Sequence, residues 1–309
     1  MKRRDFIKTG SAGLAGMALG GLSAQAANAG RRASEQAGTW KKGFMLGTFS
    51  PAGDLDLKGR FRLLKEAGFD GVEPSSGMDR DEVLRARDES GLEIPSVVVA
   101  THWSQPLSSP DPDVRAAGLE GLKTALRDAK AYGAQTVLLV PGVVNASIFY
   151  DDAYRRSQRE IRKAVPLAEE IGVVIAVENV WNRFLLSPLE AARYVDEFES
   201  PYVGWYFDIG NIRNYGWPEQ WIRILGERIA MVHLKEYSME KRNREGPRAG
   251  FRVNFLEGDN DWAAIMRAFR DIGYGGYGIA EPPHRDPDLA DDVWLTEYVS
   301  DRMDEIFRS

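Results

Sequence analysis

The 309-residue sequence contains no cysteine. This absence excludes a disulfide framework, a thiolate metal site, a cysteine nucleophile and a lipid-modified cysteine. Excess positive charge is also lacking, because 40 basic residues face 46 acidic ones and the formal net charge is −6. Nucleic-acid binding driven by phosphate neutralisation is therefore not expected. The remaining composition, with 43% hydrophobic and 28% charged residues, is typical of a globular protein and excludes a disordered or collagen-like chain.

Long hydrophobic runs are missing as well. The weakly apolar stretch Ser11–Leu22 follows Lys2-Arg3-Arg4 and precedes two small-residue patterns, Ala24-Gln25-Ala26 and Ala27-Asn28-Ala29. It is too short to cross a bilayer, which needs about 20 apolar residues. A charged start, a short apolar middle and a small-residue end indicate a signal peptide. The paired arginines resemble the twin-arginine export signal of bacteria.

This leader divides the chain into three parts. We expect residues 1–29 to be a twin-arginine signal peptide, residues 30–41 a linker, and residues 42–309 one catalytic domain. The resemblance to twin-arginine signals implies that the export machinery for folded proteins moves this chain, which suits a protein that acquires its metal before crossing. The mature protein is expected to be soluble in the periplasm, with no membrane anchor after cleavage. The sequence leaves the oligomeric state open.

After the leader, short apolar segments alternate with segments of helical spacing, and glycines stand where several helices should end. The predicted strands are Gly43–Phe49, Gly71–Pro74, Ile94–His102, Thr136–Pro141, Val173–Asn179, Val203–Asp208, Ala230–Glu236 and Tyr277–Glu281. The helix-ending glycines are Gly68, Gly91, Gly133, Gly172 and Gly273. Pro166 is expected to kink the helix that contains Ile161 and Ile171.

Eight strand–helix units predict a (β/α)₈ TIM barrel, an α/β fold that typically has about 250 residues. A doubly wound open sheet is the alternative, and it would carry a glycine-rich phosphate loop after the first strand. The sequence at that point, Leu46-Gly47-Thr48-Phe49-Ser50-Pro51, contains no such loop. We therefore predict a single-domain barrel.

Four predicted strands carry a charged or imidazole side chain near the carboxyl end, namely Glu178, Asp208, His233 and Glu281. Taken singly, each acid could equally cap a helix or form an ion pair. In a barrel, however, that end of the strands is the functional face, so all four should converge on one mouth. Burying three carboxylates together is unfavourable without a cation. Three oxygen ligands and one imidazole suit one divalent ion, with Mn²⁺ or Mg²⁺ favoured and Co²⁺ as a further candidate.

Short motifs surround these four positions. They are Glu178-Asn179, Asp208-Ile209-Gly210-Asn211, His233-Leu234-Lys235-Glu236 and Ala280-Glu281-Pro282. The motifs resemble those of the xylose isomerase-like barrel family of sugar and sugar-phosphate isomerases and epimerases, and the similarity extends over most of Gly43–Ser309. The resemblance implies that Glu178, Asp208, His233 and Glu281 bind one metal ion. It also implies that Glu178 and Glu281 move protons as catalytic residues.

Epimerisation of a carbon beside a carbonyl group fits these parts. A proton must leave one face of the carbon and return to the other, which two carboxylates on opposite sides of the substrate can achieve. The metal would polarise the carbonyl and stabilise the enediolate. Aldose–ketose isomerisation could use the same groups with the proton kept on one face. We therefore expect a metal-dependent isomerase or epimerase acting on a small-molecule sugar or sugar derivative.

Five further residues are candidates for contact with the substrate. His102 could hydrogen-bond a sugar hydroxyl while Trp103 stacks on the ring, and Glu73 resembles a recurrent acid of the family. Asn211 stands where relatives often carry a histidine that touches the substrate. Lys235 belongs to a Lys-Glu pair where Lys-Asp is more usual. His102 and Trp103 could instead be a packed pair at the rim, and Glu73 could only brace a loop.

The surroundings of the predicted mouth allow two readings. Trp181, Phe49 and Tyr237 could form aromatic walls or could be packing residues. The segment Ser238–Asp259 could be a lid or an anion-binding arm, or else a solvated loop; its basic residues are Lys241, Arg242, Arg244, Arg248 and Arg252. A phosphorylated substrate would favour the arm. Export argues against such a substrate, because sugar phosphates are chiefly cytosolic.

Three rival functions stay open to different degrees. A metal-dependent lyase could remove the proton beside the keto group of a 3-keto-glycoside and expel the aglycone. A non-catalytic sugar-binding module could keep the barrel, although the presence of both Glu178 and Glu281 argues against it. A barrel endonuclease would need a histidine-rich zinc cluster, and the sequence contains only His102, His233 and His284.

Overall fold

The computed structural model describes residues 39–49, 55–282 and 292–309. The predicted signal peptide, residues 30–38 of the predicted linker, and His284 lie outside the described residues. The bounds expected for the leader, the linker and the catalytic domain therefore stay predictions. Within the described ranges, no helix is both long and apolar enough to cross a membrane.

Eight parallel strands form the sheet of the described chain, in the order β2-β1-β8-β7-β6-β5-β4-β3. The strands are β1 (Trp40–Met45), β2 (Gly71–Glu73), β3 (Ser96–Val98), β4 (Thr136–Leu139), β5 (Val174–Glu178), β6 (Val203–Asp208), β7 (Ile229–Leu234) and β8 (Gly276–Ala280). Isolated bridges from Gly71 to Glu93 and from Ser75 to Val98 link the two ends of this order. The sheet thus closes into the predicted single-domain TIM barrel.

Helices connect the strands and lie outside the barrel. They are α1 (Leu57–Glu66), α2 (Arg80–Ser90), α3 (Pro112–Tyr132), α4 (Tyr150–Arg162), α5 (Val165–Ile171), α6 (Pro188–Asp196), α7 (Ile209–Arg213), α8 (Pro218–Leu225), α9 (Met239–Glu245), α10 (Trp262–Asp271) and α11 (Asp292–Arg308). Aspartates cap several helix starts; Asp79, for example, accepts a hydrogen bond from the Glu82 amide. Gly91, Gly133 and Gly172 end helices in the left-handed conformation, as predicted.

Two local predictions were wrong. The helix around Pro166 is not kinked but divided, because α4 ends at Arg162 and α5 begins at Val165 with the proline in its first turn. Proline lacks an amide proton, so it fits a helix start better than a helix interior. The first and third strands are also shorter than predicted, ending at Met45 and Val98. Apolar residues beyond those points are buried in turns rather than in strands.

The closed sheet separates two hydrophobic cores. The larger core lies between the sheet and the helices and contains the outward-facing strand residues, such as Val177, Phe207 and Val232. The smaller core consists of inward-facing strand residues and fills the barrel, with Tyr206 among its largest members. The barrel interior is therefore packed with side chains, and any site must lie at one end of the strands.

Candidate active site at the carboxyl ends of β5 to β8

The four predicted metal ligands occupy inward-facing positions on four neighbouring strands. The inner core includes one residue from each strand: Ala176, Tyr206, Met231 and Ile279. Because side chains alternate along a strand, the residue two positions further on faces the barrel interior again. Those residues are Glu178, Asp208, His233 and Glu281. The alternation within each strand therefore directs all four side chains to one mouth.

These four side chains meet closely. Each offers one oxygen or nitrogen atom, and those atoms all lie within 4.8 Å of one another. His233 Nδ1 is 3.1 Å from Glu178 Oε1 and 3.4 Å from Glu281 Oε2. Asp208 and His233 are direct partners in the pairing of β6 with β7. Glu281 has a 21% exposed side chain while the other three are buried, so the cluster opens to solvent on the Glu281 side.

Glu73 holds the imidazole of His233 from the other side of the ring. Its Oε2 lies 2.9 Å from His233 Nε2, and its Oε1 accepts a 2.6 Å hydrogen bond from the Tyr206 hydroxyl. Glu73 is fully buried, so the structure places it within the barrel instead of at the substrate-facing surface. Its contacts orient His233 with Nδ1 towards the carboxylates. The inward direction of Glu73 could have been predicted from strand alternation, because its neighbour Val72 belongs to the outer core.

Glu73→Gln should weaken binding of a divalent ion by about 10- to 100-fold, as is typical when a residue that orients a metal ligand is changed. The neutral amide no longer holds His233 Nε2 as the carboxylate does. Tyr206→Phe should cause a smaller loss in the same direction, because it removes only the hydrogen bond to Glu73. Calorimetric titration with Mn²⁺ measures both affinities. Wild-type affinity in Glu73→Gln would contradict this role.

Lys235 places a positive charge inside the cluster. Its Nζ atom lies 2.6 Å from Glu281 Oε1 and 3.2 Å from Asp208 Oδ2, and its side chain is 14% exposed. Lys235 stands two residues after His233, so the same alternation turns it inward. The sequence predicted a substrate contact for Lys235. The structure instead commits its ammonium group to two of the predicted metal ligands.

The charges in the cluster shift its proton affinities. Burial raises the pKa of Glu178 above its usual value and that of Asp208 to about 7. Burial would also raise the pKa of Glu281, but Lys235 and His233 hold it near 2. For His233, burial acts to lower the pKa, and the surrounding carboxylates outweigh it and raise the pKa well above 6.5. The cluster therefore has more negative than positive charge, and Glu178, Asp208 and His233 bind protons more tightly than usual to offset the difference.

A divalent cation fits this donor set. When His233 gives up its extra proton to act as a ligand, the four carboxylates of Glu73, Glu178, Asp208 and Glu281 are balanced by a single ammonium group, that of Lys235. A divalent ion would cancel two of the three excess negative charges. Asp208 Oδ2 is buried and accepts no hydrogen bond, so beside its ion pair with Lys235 it keeps a lone pair for a metal. Carboxylate oxygens with one imidazole are a donor set for hard or borderline ions.

Asn179 ties β5 to β6, a role that sequence reasoning missed. Its Nδ2 donates to Asp208 O at 2.7 Å, and its Oδ1 accepts from the Asp208 amide at 3.1 Å. Asn211 completes the link, because its Nδ2 donates to Asn179 O and its amide donates to Asp208 Oδ1. These bonds fix Glu178 beside Asp208. The Nδ2 atom of Asn211 is thus engaged within the protein, and contact of this residue with a substrate stays a prediction.

His102 and Trp103 lie in the turn that follows β3. His102 is 7% exposed, and its Nδ1 accepts a 3.3 Å hydrogen bond from the Val140 amide. Burial lowers the pKa of His102 to about 4, so the imidazole is neutral near pH 7. The Trp103 ring meets His102 edge-on at 5.5 Å and is 54% exposed. Contact of either side chain with a sugar stays a prediction.

The shifted His102 predicts acid destabilisation. Its pKa is about 4 when folded against an ordinary 6.5, so the unfolded chain binds the extra proton between those values. The full contribution is present above pH 6.5 and is lost as pH falls to 4, by about 3 kcal/mol at most. Urea unfolding at pH 7 and pH 4.5 measures the difference. His102→Gln should lose less stability over this interval, and an equal loss in both proteins would contradict the assignment.

Of the three predicted aromatic walls, only Trp181 is partly exposed. Phe49 is 2% exposed and packs edge-on against Phe44 at 5.6 Å. Tyr237 is fully buried, and its hydroxyl donates to Pro247 O. Trp181 lies three residues after Glu178, and its Nε1 donates to Asn211 O at 2.9 Å. Of the two roles left open for these residues, Phe49 and Tyr237 therefore have the packing role, and Trp181 stays a candidate for a wall.

The basic segment Ser238–Asp259 is held by bonds at both of its ends. The Ser238 amide donates to Gly250 O at 2.7 Å, and the Met239 amide donates to Asp259 Oδ2. Four of its basic side chains contact neighbours: Lys241 bonds Arg252 O, Arg242 bonds Asn214 and Asn243, Arg244 pairs with Glu240 and Glu245, and Arg252 approaches Glu245. Arg248 is exposed. These contacts weaken the interpretation of the segment as an anion-binding arm.

The fold and this cluster define a class of barrel with acidic and imidazole groups gathered at its mouth. The chain belongs to the xylose isomerase-like TIM barrel family, whose model matches residues 61–298. It is 28% identical over 249 residues to L-ribulose-5-phosphate 3-epimerase UlaE of Escherichia coli O1:K1 / APEC. The matched region covers 75% of this chain and 83% of the relative.

Solved structures share the architecture. The apo form of 3-keto-D-glucoside 4-epimerase, YcjR, from E. coli superposes with a TM-score of 0.71 at 17% identity, over 88% of this chain and 100% of that one. L-ribulose 3-epimerase gives a TM-score of 0.72 at 19% identity, over 87% and 95% of the two chains. At these identities the likeness establishes the fold alone. Together with the family match and the sequence relative, it supports an enzyme of the isomerase and epimerase class.

Proposed function

We propose that this chain is a metal-dependent epimerase that moves a proton at a carbon beside the carbonyl group of an unphosphorylated sugar or sugar derivative. The observation that carries the proposal is the meeting of Glu178, Asp208, His233 and Glu281 within 4.8 Å at the carboxyl ends of β5 to β8. This is the functional end of a TIM barrel. The family membership and the epimerase relative support the same reaction class.

The four side chains would hold one divalent ion, with Mn²⁺ as the first candidate and Mg²⁺ or Co²⁺ as alternatives. Such an ion supplies Lewis acidity, which polarises a sugar carbonyl and makes the neighbouring proton easier to remove. Glu178 is buried with a raised pKa, which suits a group that accepts and later releases a proton. Glu73 and Tyr206 keep His233 oriented throughout.

Inversion requires a second carboxylate that faces the carbon from another side. Glu178 ends β5, whereas Glu281 follows β8, with β6 and β7 between them in the sheet. The two carboxylates therefore reach the mouth from different strands. Lys235 holds Glu281 Oε1 at 2.6 Å and fixes that carboxylate in place. Removal of the proton by one glutamate and its return by the other would invert the carbon.

The direct test is solvent-proton exchange with the purified mature protein. In D₂O with Mn²⁺, the proposal expects deuterium to enter the carbon beside the carbonyl of a ketose or keto-glycoside, with the epimer as product. Parallel measurement of the 5-phosphates of the same sugars tests the unphosphorylated preference. Release of an aglycone from a 3-keto-glycoside would replace epimerisation by elimination. Absence of exchange across the whole panel in protein that contains metal would reject both reactions.

The leader adds a proposal about location. The paired Arg3 and Arg4, with the apolar and small-residue stretches behind them, support export to the periplasm as a folded protein. Replacement of both arginines by lysine should leave the chain uncleaved in the cytoplasm of a bacterial host. Fractionation and mass spectrometry of the amino terminus measure this, with cleavage expected after Ala29 in the unchanged protein. Equal export of both proteins would contradict the twin-arginine assignment.

A further inference from the structure

A row of aromatic side chains leads from the cluster to the surface. We call Phe251, Trp181 and Tyr215 the aromatic row. The Phe251 ring lies 5.2 Å from Lys235 Nζ, and its centroid is 4.8 Å from that of Trp181. The Trp181 centroid is 5.6 Å from that of Tyr215, which is 67% exposed. The row therefore begins beside the ammonium group of the cluster and ends in solvent.

The row is fixed in place by buried neighbours. The fully buried Tyr237 ring packs 4.9 Å from Phe251 and 5.9 Å from Trp181. Gly250 allows this close packing, because a Cβ at that position would lie 2.4 Å from the Tyr237 ring. The Trp181 indole is also held by its hydrogen bond to Asn211 O. A surface whose rings are set before binding loses little conformational entropy when a ligand packs on it.

We propose that the aromatic row binds a second ring attached to the sugar at the cluster, so that the substrate is a glycoside and not a single free sugar. This inference rests on the proposed function for the first ring. Trp181 stands three positions after Glu178, so their Cα atoms lie within about 11 Å. A sugar whose carbonyl lies at the cluster would project its glycosidic substituent along the row towards Tyr215.

The chemistry of the row selects a ring over a phosphate group. Aromatic faces pack against the apolar C–H face of a sugar or an aglycone ring while polar edges stay in water. The row itself carries no charge. Lys235, the cation that contacts the Phe251 ring, is engaged with Asp208 and Glu281, and Arg242 donates to Asn214. A phosphate would have to displace these contacts.

Binding without turnover tests the row. Calorimetry on the Mn²⁺-loaded mature protein should compare methyl α-D-glucopyranoside with maltose, cellobiose and trehalose, and with D-glucose 6-phosphate. Wild-type protein should bind at least one disaccharide more tightly than the methyl glycoside. Trp181→Ala should remove about three- to tenfold of that preference, and Tyr215→Ala a smaller part. Trp181→Phe keeps a ring and should retain most of the preference, which separates stacking from misfolding.

Ile224→Ala is the matched control, because Ile224 is 38% exposed and lies in the last turn of α8, which leads to the amino end of β7 and so to the opposite end of the barrel. It should leave every affinity unchanged. Equal weakening of the methyl glycoside and the disaccharides by Trp181→Ala would overturn the inference, as would tighter binding of the sugar phosphate. Deuterium exchange separates the two proposals. A disaccharide preference without deuterium exchange would reject the proposed epimerase activity and support ring binding by the aromatic row. Deuterium exchange without the preference would support the activity and reject the ring binding.

Discussion

Glu178→Gln and Glu281→Gln should each reduce formation of the epimer by about 10²- to 10⁴-fold, the range expected when a general base or acid is lost. Glutamine keeps the shape of the glutamate side chain, but its amide group cannot accept or deliver a proton near neutral pH. Both carboxylates lie beside His233 Nδ1, at 3.1 and 3.4 Å, so each reaches the same small space. The two losses should be similar, because inversion needs both.

The controls for this result separate proton transfer from loss of metal. Glu240→Gln changes a glutamate with an 82% exposed side chain on α9 and should leave epimer formation unaffected. Metal content is measured on every variant by atomic emission. A variant that retains metal and forms no epimer identifies a proton-moving role, whereas full epimerisation in both Glu178→Gln and Glu281→Gln would reject the two-carboxylate scheme.

Asp208→Asn should abolish stabilisation of the protein by a divalent ion. For the wild type, Mn²⁺ at 100 times its dissociation constant should raise the free energy of unfolding by about 2.7 kcal/mol, and a chelator should reverse the gain. The reason is local, because Asp208 offers one oxygen within 4.8 Å of the other three donor atoms, and its buried Oδ2 accepts no hydrogen bond although Lys235 Nζ lies 3.2 Å away. Urea unfolding with Mn²⁺ and with EDTA measures the difference.

A second aspartate provides the matched control. Asp208 also caps α7 by accepting from the Asn211 amide, as Asp79 caps α2 by accepting from the Glu82 amide. Asparagine can cap a helix as well as aspartate, so neither substitution should unfold its helix. Asp79→Asn should therefore keep the full gain from Mn²⁺. An undiminished gain in Asp208→Asn would show that the ion binds elsewhere.

Much of this molecule could be predicted from the sequence because its determinants are local. Strand alternation and helix-ending glycines such as Gly133 act within a few residues, and they predicted the barrel correctly. The same alternation brings Glu178, Asp208, His233 and Glu281 together, since each is the next inward position after a core residue. Their convergence needed only the rule that parallel strands end on one face.

Contacts across the barrel were beyond sequence reasoning. Glu73 reaches His233 over 160 positions of sequence and Tyr206 over 133, so no local pattern joins them. Lys235 faces the mouth by alternation, but which carboxylates it meets depends on where β6 and β8 lie. Local sequence also could not show that Tyr237 is a packing residue instead of a wall of the mouth. Its burial depends on Gly250, which approaches the Tyr237 ring from a later segment of the chain.

The direct pairing of Asp208 with His233 has a consequence for how the barrel opens. A slip of one residue between β6 and β7 would turn Asp208 or His233 outward into the helical layer. An ion that needs both side chains would therefore bind only the correctly aligned strands and would stabilise that register. Because its donors come from four strands, the ion would join them into one cooperative unit. Amide hydrogens of β5 to β8 should then exchange with deuterium as a single slow block when the ion is bound, and separately from those of β2 and β3.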